Sequence, residues 1–215
     1  VWAWAISWDA VHATQVLTLM QAGYMKTGAP DALGYMMNLG FQNGVPVYMV
    51  QGMFCGSRED GLAAIAPLMA IPSAQLLVDK TGTYPDMNVW LEDHPYTLPD
   101  NLPDGIAETK ASGYINTQLS PADWQRIIDY FKTSPNPWSL AYLEPYGGAI
   151  NRYPMADSAF VHRNVDADLV VDVFWRNPAE RAQMEAWLDG FMQLVRPFLN
   201  LSLIHISEPT RLRRI

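Results

Sequence analysis

The residues best suited to chemistry in this sequence alternate along one short segment, Asp168 to Trp175. Its odd-numbered positions are all apolar, which is typical of a β-strand that packs one face against a core. Its even-numbered positions include the carboxylate of Asp172 and the ring of Phe174. Because a carboxylate shielded by aromatic rings has a raised tendency to act as a base, the segment indicates a candidate general base on a sheet face.

A second predicted strand, at about 139–145, alternates in the same way. If the two strands pair in suitable register, one sheet face presents these four side chains together: Tyr142, Glu144, Asp172 and Phe174. Antiparallel sheets often leave one face in water, so this face is either a solvated surface or the floor of an active site. Both interpretations are open from the residues alone.

Familiar catalytic and cofactor motifs do not occur in the sequence. There is no G-x-G-x-x-G, P-loop, H-E-x-x-H, C-x-x-C or G-x-S-x-G string. The single cysteine, Cys55, excludes an internal disulfide and any cysteine-based metal cluster. The four histidines are scattered along the chain, so no metal site is expected.

Composition limits the classes of partner. The chain has 14 basic and 22 acidic residues, a net charge of −8, and no Lys/Arg cluster in its body. This balance argues against nucleic acid and anionic membranes as partners. No apolar run reaches the roughly 20 residues of a membrane span. We therefore expect a soluble domain, in a cytoplasmic or secreted setting that the sequence does not distinguish.

The elements that must position these residues begin with a β-α-β-β-α-β series. The predicted elements are a strand at 1–7, a helix at 10–26, strands at 33–42 and 45–55, a helix at 57–70 and a strand at 74–78. The two central strands are joined by Asn43-Gly44, a strong hairpin turn. This order is the ferredoxin-like pattern.

The second half continues with helices and strands after a long excursion. Residues 80–110 are rich in Pro, Asp and Gly and are predicted to form a loop. Helices are predicted after the capping strings Ser120-Pro121 and Asn177-Pro178, before and after the two strands that carry the candidate site. The fold class predicted from this order is α+β, with an antiparallel sheet and helices on one face.

A series of short strings carries a family resemblance. Residues 143–150 read LEPYGGAI, residues 159–163 read AFVHR, and the following strand closes on Trp175. In this order and spacing the strings resemble the berberine-bridge-enzyme-like family of FAD-linked oxidases, and the element order agrees with that family from Val1 to Asn200. The residues that carry the resemblance are Tyr146, Gly147, Gly148, His162, Arg163 and Trp175.

The resemblance implies a function for the chain. It implies that residues 1–200 are a substrate-binding domain, truncated at both ends, whose FAD is bound mainly by a separate domain of the same parent chain. In that family a base removes a proton from the substrate while hydride passes to the flavin, and dioxygen reoxidises the flavin. The partner would be a small-molecule substrate: an alcohol, a sugar or an aromatic natural product.

The sequence departs from the family pattern at three functional positions. Cys55 does not match the family's flavin attachment, and the family's Asn-Tyr motif is absent after Asn200. Family members often carry Glu or Gln five residues before the closing Trp, where this chain has Val170. Asp172 follows two residues later on the same face, so we expect it to be the base or a substrate hydrogen-bonding group. Tyr142, Glu144 and Phe174 are the expected substrate contacts.

The last residues differ in character from the rest. Residues 201–211 read LSLIHISEPTR, which resembles a translated sequencing adapter, and 201–215 is therefore expected to be a non-native tail. The competing interpretation of the whole chain is a ferredoxin-like module that binds a ligand or a protein without redox chemistry, since element order alone favours neither function.

Overall fold

A computed structural model of the chain describes residues 1–25, 28–93, 105–160 and 162–200, without the side chains of residues 92 and 93. The predicted adapter-derived tail, 201–215, lies outside the described residues, as does the middle position of the AFVHR string. Within the described ranges, every helix is too short or too polar to span a lipid bilayer.

The strands form a single antiparallel sheet of seven strands in the order β4-β1-β3-β2-β6-β7-β5. Their bounds are β1 Trp2–Trp8, β2 Leu33–Gln42, β3 Val45–Phe54, β4 Gln75–Thr81, β5 Ala107–Ile115, β6 Leu140–Pro145 and β7 Ala167–Trp175. The first four strands have the arrangement of the ferredoxin-like pattern, so the predicted α+β class and its β-α-β-β-α-β start are confirmed.

The helices lie on both sides of this sheet. Their bounds are α1 Ala13–Gly23, α2 Arg58–Ala64, α3 Ala66–Met69, α4 Tyr84–Asp93, α5 Pro121–Phe131, α6 Ala149–Arg152 and α7 Arg181–Val195. The buried apolar residues of α1, α5 and α7 belong to one cluster on a single face, as predicted. Helix α4 departs from that prediction, because its Met87 packs against Ala3 and Ala5 on the opposite face of β1.

Alternating side chains build the main core between the sheet and its helices. Trp2, Trp4 and Ile6 of β1 are fully buried in it, and so are the odd-numbered residues of β7, such as Val171 and Val173. Burying a Val, Leu or Ile side chain contributes about 1.5–3 kcal/mol to folding. The apolar face predicted for β7 is therefore the face that meets the helices, and the even-numbered side chains point to the other side.

Helix boundaries follow local capping chemistry with one interruption. Ser120 and Asp123 form the capping box that begins α5, and Asn177 caps the turn that leads into α7. The single helix predicted for 57–70 is instead two helices, because Pro67 has no N–H to continue the hydrogen-bond ladder. The predicted excursion at 80–110 is also corrected, since it contains α4 and the start of β5.

Candidate functional site

The candidate site lies on the sheet face opposite α1, α5 and α7. Directly paired residues of antiparallel strands share a face, and the observed pairs are Tyr142 with Val170, Glu144 with Asp168, Lys110 with Asp172, and Glu108 with Phe174. We call the side of β5, β6 and β7 formed by these eight residues the polar face. The register thus brings together all four predicted site residues: Tyr142, Glu144, Asp172 and Phe174.

Asp172 is buried in the middle of β7, and one of its carboxylate oxygens has no hydrogen-bond partner. The residue is 6% exposed, and its Oδ1 atom has no hydrogen-bond partner. Burial raises the pKa of Asp172 to about 6, and the opposing positive charge of Lys110 limits the rise. A carboxylate with this pKa is mostly ionised at neutral pH, and its Oδ1 atom, although shielded from solvent, has unused capacity to accept a hydrogen bond.

Asp168 is a second buried carboxylate that sequence analysis did not place in the site. It is 4% exposed, and its Oδ1 also has no hydrogen-bond partner. Burial, followed by the negative charge of Glu144 directly opposite, raises the pKa of Asp168 to about 7. The signal was present in the sequence, because Asp168 alternates with Asp172 on the same side of the predicted strand.

The remaining predicted contacts border the two aspartates. Tyr142 is partly exposed, and burial followed by the charge of Asp172 raises the pKa of its hydroxyl, so it stays protonated and can donate a hydrogen bond. Glu144 is also partly exposed, and Phe174 is buried at the end of the same face. Val170, at the position where the resembled family often carries Glu or Gln, is buried and has no group for proton transfer.

The strings that carry the family resemblance form a ring cluster at one end of the polar face. Tyr146 and Phe160 stack with ring centroids 5.8 Å apart, and His162 lies 4.5 Å from the ring of Tyr114. The His162 Nε2 atom is buried without a hydrogen-bond partner. Arg163 is anchored separately, because its guanidinium donates to the carbonyls of Phe160 and Ile150 and to Ser158.

The two turn glycines and the tryptophan that ends β7 lie at positions that support the fold. Gly148 has a φ of 59°, a conformation that favours glycine, whereas Gly147 occupies the turn before it. Trp175 ends β7 opposite Ala107 and belongs to the main core. The two glycines explain how the chain turns after β6. The ring of Trp175 lies in the main core and not on the polar face.

The polar face has the donor set of a proton-transfer site and lacks that of a metal site. Within the described residues, no group of three or more His, Cys, Asp or Glu side chains could hold a metal ion. The three strands contribute four carboxylates, Glu108, Glu144, Asp168 and Asp172, and one cation, Lys110. This charge suits the hydroxyls of a substrate and disfavours the diphosphate of a dinucleotide.

Comparison with known proteins identifies the fold. No family model and no curated protein sequence matches the chain. The structure is similar to BBE-like 28 from Arabidopsis thaliana, with a TM-score of 0.75 and 15% identity over 93% of this chain and 43% of that one. BBE-like 1 from Physcomitrella patens gives a TM-score of 0.72 and 17% identity over 93% and 44%.

Two further similar structures belong to proteins whose function is described. Phl p 4, a grass pollen allergen with glucose dehydrogenase activity, gives a TM-score of 0.69 and 16% identity over 93% of this chain and 41% of that one. CrmK, a flavoenzyme of caerulomycin biosynthesis, gives 0.72 and 13% over 91% and 42%. At these identities the likeness establishes the fold, which is the one that the motif strings led us to expect. The chain spans less than half the length of each of these proteins.

Proposed function

We propose that the chain is the substrate-binding and catalytic-cap part of an FAD-dependent oxidoreductase. The enzyme would oxidise an alcohol, a sugar or an aromatic natural product by hydride transfer to the flavin, with dioxygen as the acceptor. The observation that carries the proposal is the pair of buried aspartates, Asp168 and Asp172, each with an unpartnered oxygen on the same sheet face. Most contacts to the FAD would come from another domain of the parent chain.

The similar structures support this proposal beyond the fold itself. One is called a flavoenzyme and another is described as having glucose dehydrogenase activity. Both are matched over about two fifths of their length, which agrees with a chain that provides one part of a flavin site. The bound flavin would supply the hydride acceptor, and this chain would supply position and a base.

Asp172 is the proposed base. Its free Oδ1 would accept the proton of a substrate hydroxyl, and its pKa of about 6 keeps it ionised near neutral pH. Lys110, directly across the strand pair, would stabilise the ionised form until the proton is transferred. The protonated hydroxyl of Tyr142 would donate to the substrate or to Asp172 and so fix the direction of approach.

Asp168 and Glu144 would form the second contact with the substrate. Because the pKa of Asp168 is about 7, this residue holds a proton about half of the time at neutral pH. It can therefore either donate to or accept from a second hydroxyl, while Glu144 accepts. Phe174 would close the opposite end of the face with an apolar surface.

The test is flavin reduction in the complete parent protein. The Asp172→Asn variant keeps the shape of the side chain and removes the base, so anaerobic flavin reduction by substrate should slow roughly a hundredfold or more. The matched control is Asp189→Asn, an exposed change on α7 that should leave the rate unaltered. Reduction at the parental rate in Asp172→Asn would remove this residue from the chemistry.

A further inference from the structure

A separate cavity lies between α4 and the ends of β2 and β3. Its volume is about 490 Å³. The side chains that line it include Met36, Gln51, Met53, Tyr84 and Leu91. Cys55 lies at its edge and is exposed to solvent. None of the residues predicted from the sequence to form the site belongs to this lining, so the cavity needs its own explanation.

The lining is largely apolar and includes Gln51, whose side chain has an unused polar atom. Two thioethers and a leucine form a soft surface that adapts well to flat or irregular apolar groups. The Oε1 atom of Gln51 is buried and has no hydrogen-bond partner. A ligand that placed an O–H or N–H group against this oxygen would satisfy it, and most of the remaining contacts would be with apolar side chains.

Strand register connects the cavity to the polar face. Gln51 lies opposite Met36, so these two cavity residues share one side of the β2–β3 pair. Asn38, two residues further along β2, lies on the same side, where it pairs with Tyr142 of the polar face. Neighbouring strands are about 4.8 Å apart, so Met36 on β2 and Asp168 on β7 are separated by two spacings, roughly 10 Å.

We propose that this cavity binds the aromatic or apolar part of the substrate, whose hydroxyl-bearing end extends to Asp168. The inference rests on the proposed function and narrows it. A free monosaccharide would leave the cavity unfilled, whereas a molecule about two rings long, with one polar substituent near Gln51, would span both places. The preferred substrates are therefore aromatic alcohols or hydroxylated compounds that carry an aromatic group.

Gly34 provides a way to fill the cavity without disturbing its walls. A Cβ atom added at Gly34 would meet no atom within 4 Å, and this residue pairs with Met53 on the cavity side. We expect Gly34→Leu to occupy the space that a ligand needs. The matched control is Ala22→Leu, which places the same leucine side chain in an exposed apolar groove beside α1 and leaves the cavity unchanged.

The experiment measures binding of 2-naphthol, a flat aromatic with a single hydroxyl, to this chain in the absence of flavin. Methionine methyl resonances, assigned through single Met→Leu variants, should shift for Met36 and Met53 and stay constant for the core residue Met20. Binding should weaken at least tenfold in Gly34→Leu and remain parental in Ala22→Leu. Unchanged Met20 resonances show that the variant is folded.

Reaction of the chain's single cysteine gives an independent measurement. Because Cys55 lines the cavity, 2-naphthol should slow its alkylation by iodoacetamide, and Gly34→Leu should abolish that protection. Shifts spread evenly over the methionines, or equal affinity in Gly34→Leu, would overturn the inference. These results do not depend on flavin chemistry, so the cavity can fail while the role of Asp172 stands, and the reverse.

Discussion

Glu144 on β6 lies directly opposite Asp168 on β7, and the two carboxylates face the same side of the sheet. The negative charge of Glu144 adds to the effect of burial and raises the pKa of Asp168 to about 7. A buried carboxylate without a full set of partners is costly to keep ionised. The arrangement is therefore unfavourable for folding at high pH, and a proposed role in binding substrate gives a reason for it.

The first prediction is a pH-dependent gain in stability from Asp168→Asn. The pKa of Asp168 is higher in the folded state than its ordinary value, so the folded state binds this proton more tightly than the unfolded state. Its contribution to the free energy of unfolding is complete below pH 4 and is lost as the pH rises towards about 7. The amide cannot ionise and escapes this loss.

Urea unfolding of the parent chain and the variant at pH 4 and pH 8 measures the effect. The free energy of unfolding should be higher for Asp168→Asn than for the parent at pH 8. This difference between the two proteins should be about 1–2 kcal/mol larger at pH 8 than at pH 4. The exposed Asp189→Asn should show no such change. If the difference between Asp168→Asn and the parent is the same at both pH values, the carboxylate of Asp168 does not have a raised pKa.

The second prediction concerns Lys110 as a positioning residue for the proposed base. Its positive charge lowers the pKa of Asp172, against the larger effect of burial. Lys110→Met should therefore raise the pKa of Asp172 and move the acidic limb of the pH profile of flavin reduction to higher pH. At pH 6 in the complete protein, the rate should fall roughly twofold to fivefold, with recovery at pH 8.

Lys110→Arg is the matched control for this experiment. It keeps the charge opposite Asp172 and the ability to pair with Glu108, which lies 3.0 Å from the Lys110 ammonium. The pH profile of this variant should follow that of the parent. An equal loss of rate at all pH values in Lys110→Met would indicate a structural effect and would contradict the electrostatic role.

How far the sequence predicts this site depends on how far apart along the chain the interacting residues lie. The alternation of β7 is local, and it was enough to assign Asp172 and Phe174 to the face away from the helices. The partner of Asp168 depends on register between β6 and β7, which are separated along the chain by 21 residues, from 146 to 166. No local pattern specifies that register, so the Glu144–Asp168 pair became visible only in the folded structure.

Strand β5 was missed for a compositional reason. The residues before it are rich in Pro, Asp and Gly, and this composition masked the alternation that begins at Ala107. As a result Lys110, the residue that faces Asp172, had no predicted position. The sequence pattern of the same stretch also does not predict α4 or the cavity that α4 forms with β2 and β3. Both depend on tertiary packing of a weakly patterned segment.

The third prediction is that the chain purified alone is colourless. The polar face offers carboxylates and a single lysine, a charge pattern that does not suit the FAD diphosphate. Most flavin contacts would come from another domain, so the isolated chain should show no visible flavin absorbance after incubation with FAD and gel filtration. A yellow chain with stoichiometric FAD would contradict the proposal that another domain provides most of the flavin contacts.

The fourth prediction tests the packing that supports β7 from the helix side. Gly190 of α7 faces the hydroxyl of Tyr130, which donates a 3.1 Å hydrogen bond to the carbonyl of Trp187. A Cβ at Gly190 would overlap that hydroxyl, and the Tyr130 ring is held between Trp187 and Phe191 and cannot easily move. Gly190→Ala should therefore lower the free energy of unfolding by about 1–3 kcal/mol, despite the better helix propensity of alanine.

A double-mutant cycle separates this clash from other effects of the substitution. Tyr130→Phe removes the hydroxyl that meets the new methyl group, so Gly190→Ala should cost less in the Tyr130→Phe background than in the parent. Gly34→Ala, where the added Cβ meets no atom, should change stability by no more than about 0.5 kcal/mol. Additive effects of the two changes would show that the hydroxyl of Tyr130 is not what requires glycine at position 190.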